Sequence, residues 1–314
     1  MSASEARRAA HYVWSGIALV LAASVGFSAR GVLVKLAYPY GVDAVTLMTL
    51  RMIFALPFFV LMAILAGPPP TPMRRADLAM LIGLGFIGYY LSSYLSFLGL
   101  IYVPASLERL LLYLTPTLVV LMSALVFKQR VRRHHVVALA MTYGGIMLVM
   151  GNSLVLAQEP QPLLIGGALV FCSALTYAAY LIGSGTIIPR LGSLRFTAYA
   201  SGTACLFVIA QFTLTRELAA LDLPLAVYLY GLAMAVVCTV LPTWMMAEGI
   251  GRIGASQAAI VSSIGPVSTI VLAALVLHEP ITIVQVCGAA LVLAGVWLVG
   301  AKREPAPAPA PKTG

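Results

Sequence analysis

Long apolar runs alternate with short polar breaks from one end of this chain to the other. A helix needs roughly 20 mostly apolar residues to cross the hydrocarbon of a bilayer. That ruler predicts ten spans, at 12–37, 43–66, 76–98, 102–126, 134–153, 163–184, 194–215, 223–248, 252–277 and 281–301. The breaks hold Gly, Pro or charge, as in "GPPPTPMRR" (67–75) and "FKQRVRRHH" (127–135), and no soluble domain fits between spans. The expected fold is an all-α integral membrane protein of ten transmembrane helices.

Composition agrees. Of 314 residues 61% are hydrophobic and 9% charged, where a soluble domain carries about 25% charged residues. The net charge of +9 does not point to nucleic acid, because the basic residues flank apolar runs and form no single patch. Cys172, Cys205, Cys238 and Cys287 each lie inside an apolar run without a CxxC pair, and read as small packing residues. Tyr12 to about Ala29 is too long for a signal-peptide core, so it reads as a retained first helix. The tail "EPAPAPAPKTG" is expected to be an extended, disordered stub.

With ten spans both termini face one side. On that side fall Arg7, Arg8, Arg74, Arg75, Lys128, Arg130, Arg132, Arg133, Arg190, Arg195, Arg252, Lys302, Arg303 and Lys312, whereas only Arg216 falls opposite. The positive-inside rule then places both termini in the cytoplasm of a bacterial-type inner membrane. The chain also repeats itself at a shift of 150. Ala105-Ser106 matches Ala255-Ser256, Pro116 matches Pro266, and Gly145 matches Gly295. The Pro match weighs most, since Pro removes a backbone donor. Each repeat holds five helices, an odd number, so the second copy enters the membrane from the other side. The loop "FKQRVRRHH" holds four Lys and Arg, and its counterpart "LHEPITIVQ" (277–285) holds none. Such a flank inversion marks an inverted-topology repeat. The organisation expected is a cytoplasmic segment at 1–11, repeat 1 at 12–155, repeat 2 at 160–302 and the tail at 303–314.

At this point the chain resembles the drug/metabolite transporter superfamily, in its EamA-type branch of ten-helix carriers. The resemblance rests on Lys35 late in span 1, Arg51 in "LRMIFA", "PAS" and "LTP" through Pro116, "GAS" and "IGP" through Pro266, and Glu279 in "LHEP". It implies secondary transport of small organic solutes such as amino acids, usually export. Two positions differ from the branch's pattern: Val25 precedes Gly26 where Trp is frequent, and Gln129 stands where an acid is expected.

Charges in hydrocarbon cost roughly 2.5–3.5 kcal/mol each near the centre, so those inside spans are expected to face the bundle. Depth along the helices puts Arg30, Lys35, Arg51, Glu108 and Arg109 in one leaflet half of repeat 1. The expected arrangement is a structural ion pair of Arg51 with Glu108, leaving Arg109 to face the substrate pathway. Tyr113, Tyr89, Tyr94, Trp244, Ser262 and Ser263 are the further candidates for that pathway, and Pro116 and Pro266 for helix hinges. The cationic neighbours of Glu108 favour its charged form, which points to facilitated or exchange transport. Two other readings compete: a carrier of neutral or cationic solutes whose charges are structural, and a polytopic membrane enzyme. The second needs a nucleophile with a base, or a metal with its ligands. His11, His134, His135 and His278 lie at span ends without an HExxH pattern, so no catalytic residues, metal or cofactor are expected. The expected partners are a small-molecule solute and the lipid bilayer, with a monomer or homodimer as the assembly.

Overall fold

A computed structural model describes residues 3–68, 72–126, 133–156, 159–253, 258, 261–262 and 264–301. Among them the chain is helical throughout, with no strand. The first helix, α1, spans Ala3–Ala37 and thus begins well before the apolar run, and α2 spans Ala44–Ala66. The third, α3, runs as Arg75–Leu84, a π-helical segment Gly85–Leu91, and Ser92–Tyr102. The fourth, α4, is broken into Ala105–Leu112 and Thr115–Val126. Then come α5 (Arg133–Leu156), α6 (Pro160–Leu191) and α7 (Ser193–Thr215). The eighth, α8, is Leu225–Ala235, a π-helical segment Val236–Val240, and Leu241–Ile253. Last are α9 (Gly265–Leu277) and α10 (Ile283–Ala301). Eight helices are long and apolar enough to cross a membrane, and Gly265–Leu277 and Ile283–Leu298 are shorter apolar helices.

Local chemistry sets the ends. Asp43 caps α2, its Oδ1 accepting from the backbone N–H of Val45 (2.9 Å) and Thr46 (3.3 Å), which satisfies donors that the first turn leaves free. Pro160 opens α6, where its missing N–H costs nothing. After α2 the chain turns at Gly67 with φ 67°, a left-handed conformation that only Gly adopts without a steric cost.

The two repeats pack as copies related by a pseudo-twofold. Helix α1 lies along α8 and α9, and α6 lies along α3 and α4; α2 pairs with α7, and α5 with α10. Single residues obey the same rule. Gly99 of α3 packs on Val170 and the Gly166 carbonyl of α6, while Gly249 of α8 packs on Val20 and the Gly16 carbonyl of α1. Adding 150 to 99, and to 16 and 20, gives 249, 166 and 170. At both places an added Cβ would come within 2.5 Å of a Val Cγ2, so the helices approach as closely as they do because these positions lack a side chain. Small residues that let backbones approach are the usual means of joining helices in lipid, where apolar burial alone offers no driving force.

The broken helices match too. A turn at Tyr113–Leu114 separates the halves of α4, and a turn at Ile264 precedes α9. Pro116 and Pro266 are the second residues of the half-helices that follow. They therefore do not kink a continuous helix, the mid-helix placement expected from the sequence. Instead they start new helices, where their lack of an N–H is harmless. The π segments of α3 and α8 also correspond: Gly85–Leu91 shifted by 150 falls at 235–241, which takes in Val236–Val240. In α8 the Thr239 hydroxyl donates to the Met234 carbonyl at 2.9 Å, occupying an acceptor in the widened turn.

Candidate functional site

Arg30, Arg51 and Glu108 meet on one face of α3, reached from α1, α2 and α4. Glu108, on the first half of α4, is 2% exposed. Its Oε1 accepts from an Arg30 NH2 at 3.1 Å and from the Ser96 hydroxyl at 2.5 Å, and the same Arg30 nitrogen reaches Ser96 Oγ at 3.2 Å. The sequence-based expectation paired Glu108 with Arg51, and this is corrected: Arg30 is the partner. The reason is adjacency. Helix α1 packs against the first half of α4, whereas α2 packs against α3 and α7. Depth along an axis, which is all a sequence supplies, does not say which helices touch.

Arg51 instead reaches α3. Its NH2 donates to the Ser93 hydroxyl at 3.2 Å and its guanidinium lies over the Phe97 ring, 5.1 Å from the centroid. Ser93, Ser96 and Phe97 are spaced three and four apart and so share one helix face; that face holds both arginines. Arg51 is buried, and its Nε–H has no acceptor among the described residues.

Arg109 sits beside Glu108 but points elsewhere, since neighbours on a helix diverge by about 100°. Its guanidinium lies over the Tyr113 ring at 5.4 Å, a cation–π contact. Its Nε–H is also buried without an acceptor among the described residues. Tyr113, at the break in α4, donates to the Ser262 carbonyl at 3.0 Å. A Cβ on Gly265 would strike the Tyr113 hydroxyl and come within 3.0 Å of an Arg109 nitrogen. Arg109 and Tyr113 thus fill the space that Gly265 leaves at the start of α9. Ser28 of α1 closes the same seam, its hydroxyl donating to the Gly265 carbonyl at 2.9 Å. The breaks of the two repeats therefore face each other across Arg109 and Tyr113.

The sequence model of the EamA-like transporter family matches residues 14–151 and again 164–301. The chain belongs to the EamA-like transporter family. It is 33% identical over 280 residues to a Bacillus subtilis (strain 168) protein described as uncharacterized transporter YcbK, covering 87% of this chain and 89% of that one. A Synechocystis sp. (strain ATCC 27184 / PCC 6803 / Kazusa) protein, uncharacterized transporter sll1319, is 23% identical over 315 residues, covering 92% and 94%. A solved crystal structure matches with a TM-score of 0.60 over 90% of this chain and 96% of its own, at 17% identity, and so agrees in fold.

For this EamA-family protein the remaining candidates divide. Tyr89 pairs edge-on with Tyr180 of α6 at 5.1 Å, and the Tyr180 hydroxyl donates to that of Tyr89 at 3.2 Å. Tyr94 stacks with Tyr90 at 6.3 Å. Trp244 is 55% exposed and makes none of the arginine contacts described above. Ser262 meets Tyr113 through its carbonyl, and Ser263 and Gln129 lie outside the described residues. Two features went unread in the sequence. Cys238, in the π segment of α8, is buried where that segment packs on α1 and α2. Nothing local distinguishes it from Cys205, which packs on Met52; only the repeat shift, which places it opposite Gly88, sets it apart. Glu279 receives the Ala105 N–H (2.8 Å), the Ser106 N–H (3.3 Å) and the Ser106 hydroxyl (2.6 Å). A residue of repeat 2 thus caps the broken helix of repeat 1. A cavity of about 390 Å³ opens beside this cap, among Ser106, Asn152, Glu159, Glu279 and Gln285, and none of the arginines lines it.

Proposed function

We propose that the protein is a secondary transporter, working as an exporter, of a small organic metabolite that carries a carboxylate or another anionic group. It acts by alternating access between two inverted five-helix repeats in the plasma membrane, with both termini in the cytoplasm. The observation that carries this is Arg109: a guanidinium whose buried Nε–H meets no acceptor among the described residues, held by Tyr113 where the two helix breaks meet. A guanidinium in a low-dielectric site binds a carboxylate through charge-assisted, bidentate hydrogen bonds. Pro116 and Pro266 support the hinge role, because each begins a half-helix that can turn independently of the residues before its break. Glu108 is held by Arg30 and Ser96, which favours exchange or facilitated transport over proton carriage on this residue. The one-sided distribution of Lys and Arg supports the orientation.

Counterflow in proteoliposomes tests the reading. Preloaded acidic amino acids or organic acids should drive uptake of their labelled counterparts, and Arg109→Gln should abolish it in a protein that still folds. Counterflow of neutral or cationic solutes, unaffected by Arg109→Gln, would instead select the reading in which the intramembrane charges are structural.

A further inference from the structure

The first half of α4 makes no cap of its own. Its N-cap residue is Pro104, which supplies no side-chain hydrogen bond, so the N–H groups of its first turn need acceptors from elsewhere. They find them in the other repeat. Glu279 Oε1 accepts the Ala105 N–H, and Oε2 accepts the Ser106 N–H and hydroxyl. Gln285 of α10 adds a second link, its Nε2 donating to Ser106 Oγ at 2.7 Å. The chain bends sharply to make this reach. Helix α9 ends at His278 with φ 55°, and the Glu279 N–H folds back onto the Ala273 carbonyl at 3.2 Å. A residue with a Cβ adopts that left-handed conformation at a cost and keeps it only where surrounding contacts fix it. The other end of the same half-helix is tied to repeat 2 as well, by Tyr113 on the Ser262 carbonyl. Glu108 and Arg109 stand between the two ties, which are about 12 Å apart along eight residues of helix. The half-helix that carries Arg109 is thus fastened to repeat 2 at both ends, and has to leave those contacts to turn at its break.

We infer that Glu279 is a latch between the repeats that sets which of two conformations they adopt. It stabilises the one described here, with the first half of α4 against repeat 2, over the exchanged one, in which that half-helix has swung away. This rests on the alternating-access reading above and deepens it, by naming the residue that biases the exchange. The bias comes from an asymmetry between the repeats. The residue 150 before Glu279 is Gln129, and the residue 150 beyond Ser106 is Ser256. A carboxylate offers two acceptor oxygens and a full charge to a helix N-terminus, whereas a carboxamide offers one oxygen and no charge. The latch of the exchanged conformation is therefore the weaker of the two. A contact made in only one state shifts the balance by its own free energy.

Ala273 of α9 is fully buried, in the apolar cluster that also holds Ala105, so a thiol placed there is covered while the latch holds. Purified full-length Ala273→Cys protein in detergent is treated with a water-soluble maleimide, and modification is followed by mass spectrometry of the peptide that carries residue 273. Adding Glu279→Gln should speed the modification about tenfold, the scale of one hydrogen bond to a charged group. Adding Gln129→Glu instead, with Glu279 in place, should also speed it, because it strengthens the opposing latch. Where Glu279→Gln does not fold, Gln129→Glu carries the test. A rate unchanged by Glu279→Gln overturns the latch. A rate raised by Glu279→Gln and untouched by Gln129→Glu makes Glu279 a local helix cap, and overturns it too. Counterflow in proteoliposomes keeps this apart from the transport reading. Anion exchange with unmoved labelling rates removes the latch alone, whereas shifted rates in a protein that exchanges no anion remove the anionic reading and leave the latch.

Discussion

The two repeats have one skeleton and two chemistries. Counted at the shift of 150, Arg30, Arg51, Glu108 and Arg109 of the first correspond to Tyr180, Ser201, Ala258 and Ala259 of the second. The places correspond as well as the numbers. Tyr180 lies over Gly88 in the π segment of α3; its counterpart Arg30 stands on α1, which packs on the π segment of α8 that holds Cys238, the counterpart of Gly88. One repeat fills the place with an aromatic ring, the other with a charge bound to a carboxylate. Backbone geometry, helix breaks and close glycine contacts are shared. Arg30, Arg51, Glu108 and Arg109 stand in the first repeat, and only one of their counterparts at the shift of 150, Tyr180, is even ionisable.

The largest effect that would break this comparison lies at Arg30. Arg30→Met leaves Glu108 buried without its partner and should cost about 3–5 kcal/mol, read as loss of monodisperse protein in fluorescence-detected size-exclusion chromatography after heating. Tyr180→Phe, the same place in the other repeat, loses one hydrogen bond and should cost only about 0.5–1.5 kcal/mol. Adding Glu108→Gln to Arg30→Met should restore most of the loss. A stable Arg30→Met protein would remove the ion pair from the account.

Next in size are Gly99→Ala and Gly249→Ala. Each puts a methyl group against Val170 or Val20, and overpacking of this kind costs about 1–3 kcal/mol. Equal thermal destabilisation is expected, because the two contacts are copies; a clearly unequal pair would show that the pseudo-twofold does not extend to energetics.

Glu279→Gln weakens the cap on α4 and should cost about 0.5–2 kcal/mol. The same melting assay should find that Gln285→Ala, which removes a donor to Ser106 Oγ (2.7 Å), costs less.

The smallest effect is at the ends of α2 and α7. Burial alone would raise the Asp43 carboxyl, but hydrogen bonds from Arg216 and Thr46 and the Arg216 charge outweigh it and hold it below the ordinary 3.8. A lowered carboxylate contributes stability that is complete above the unfolded value and lost as pH falls through the folded one. That window therefore lies below about 3.8. Both partners are more than a third exposed, so the ion pair is screened and contributes about 0.2–1 kcal/mol. Comparing unfolding of the unsubstituted protein and Arg216→Gln at pH 6 and pH 3 should show a difference at pH 6 that is smaller at pH 3.

Much of the molecule was legible in the chain itself. Span positions follow from apolar length because every backbone polar group in lipid must be satisfied within its own helix. The repeat follows from Pro116 and Pro266, since a residue that cannot donate is not placed in a helix by accident. Arg109 and Tyr113 stand four apart and so share one helix face, and they do meet. The partner of Glu108 did not read out, because Arg30 and Arg51 stand at similar depth on different helices. Nor did the Trp244 environment, since periodicity does not distinguish a face that meets another helix from one that stays uncovered.

What the sequence determined by itself was therefore set along single helices: apolar length, polarity, faces and the 150-residue correspondence. Only the tertiary structure decided what is set between helices. It placed α1 rather than α2 against the first half of α4, so Glu108 took Arg30 and left Arg51 on Ser93 and Phe97. It brought Glu279 of one repeat onto Ala105 and Ser106 of the other. Both outcomes rest on which small residues allow which helices to approach, a property of pairs of surfaces that no one surface carries.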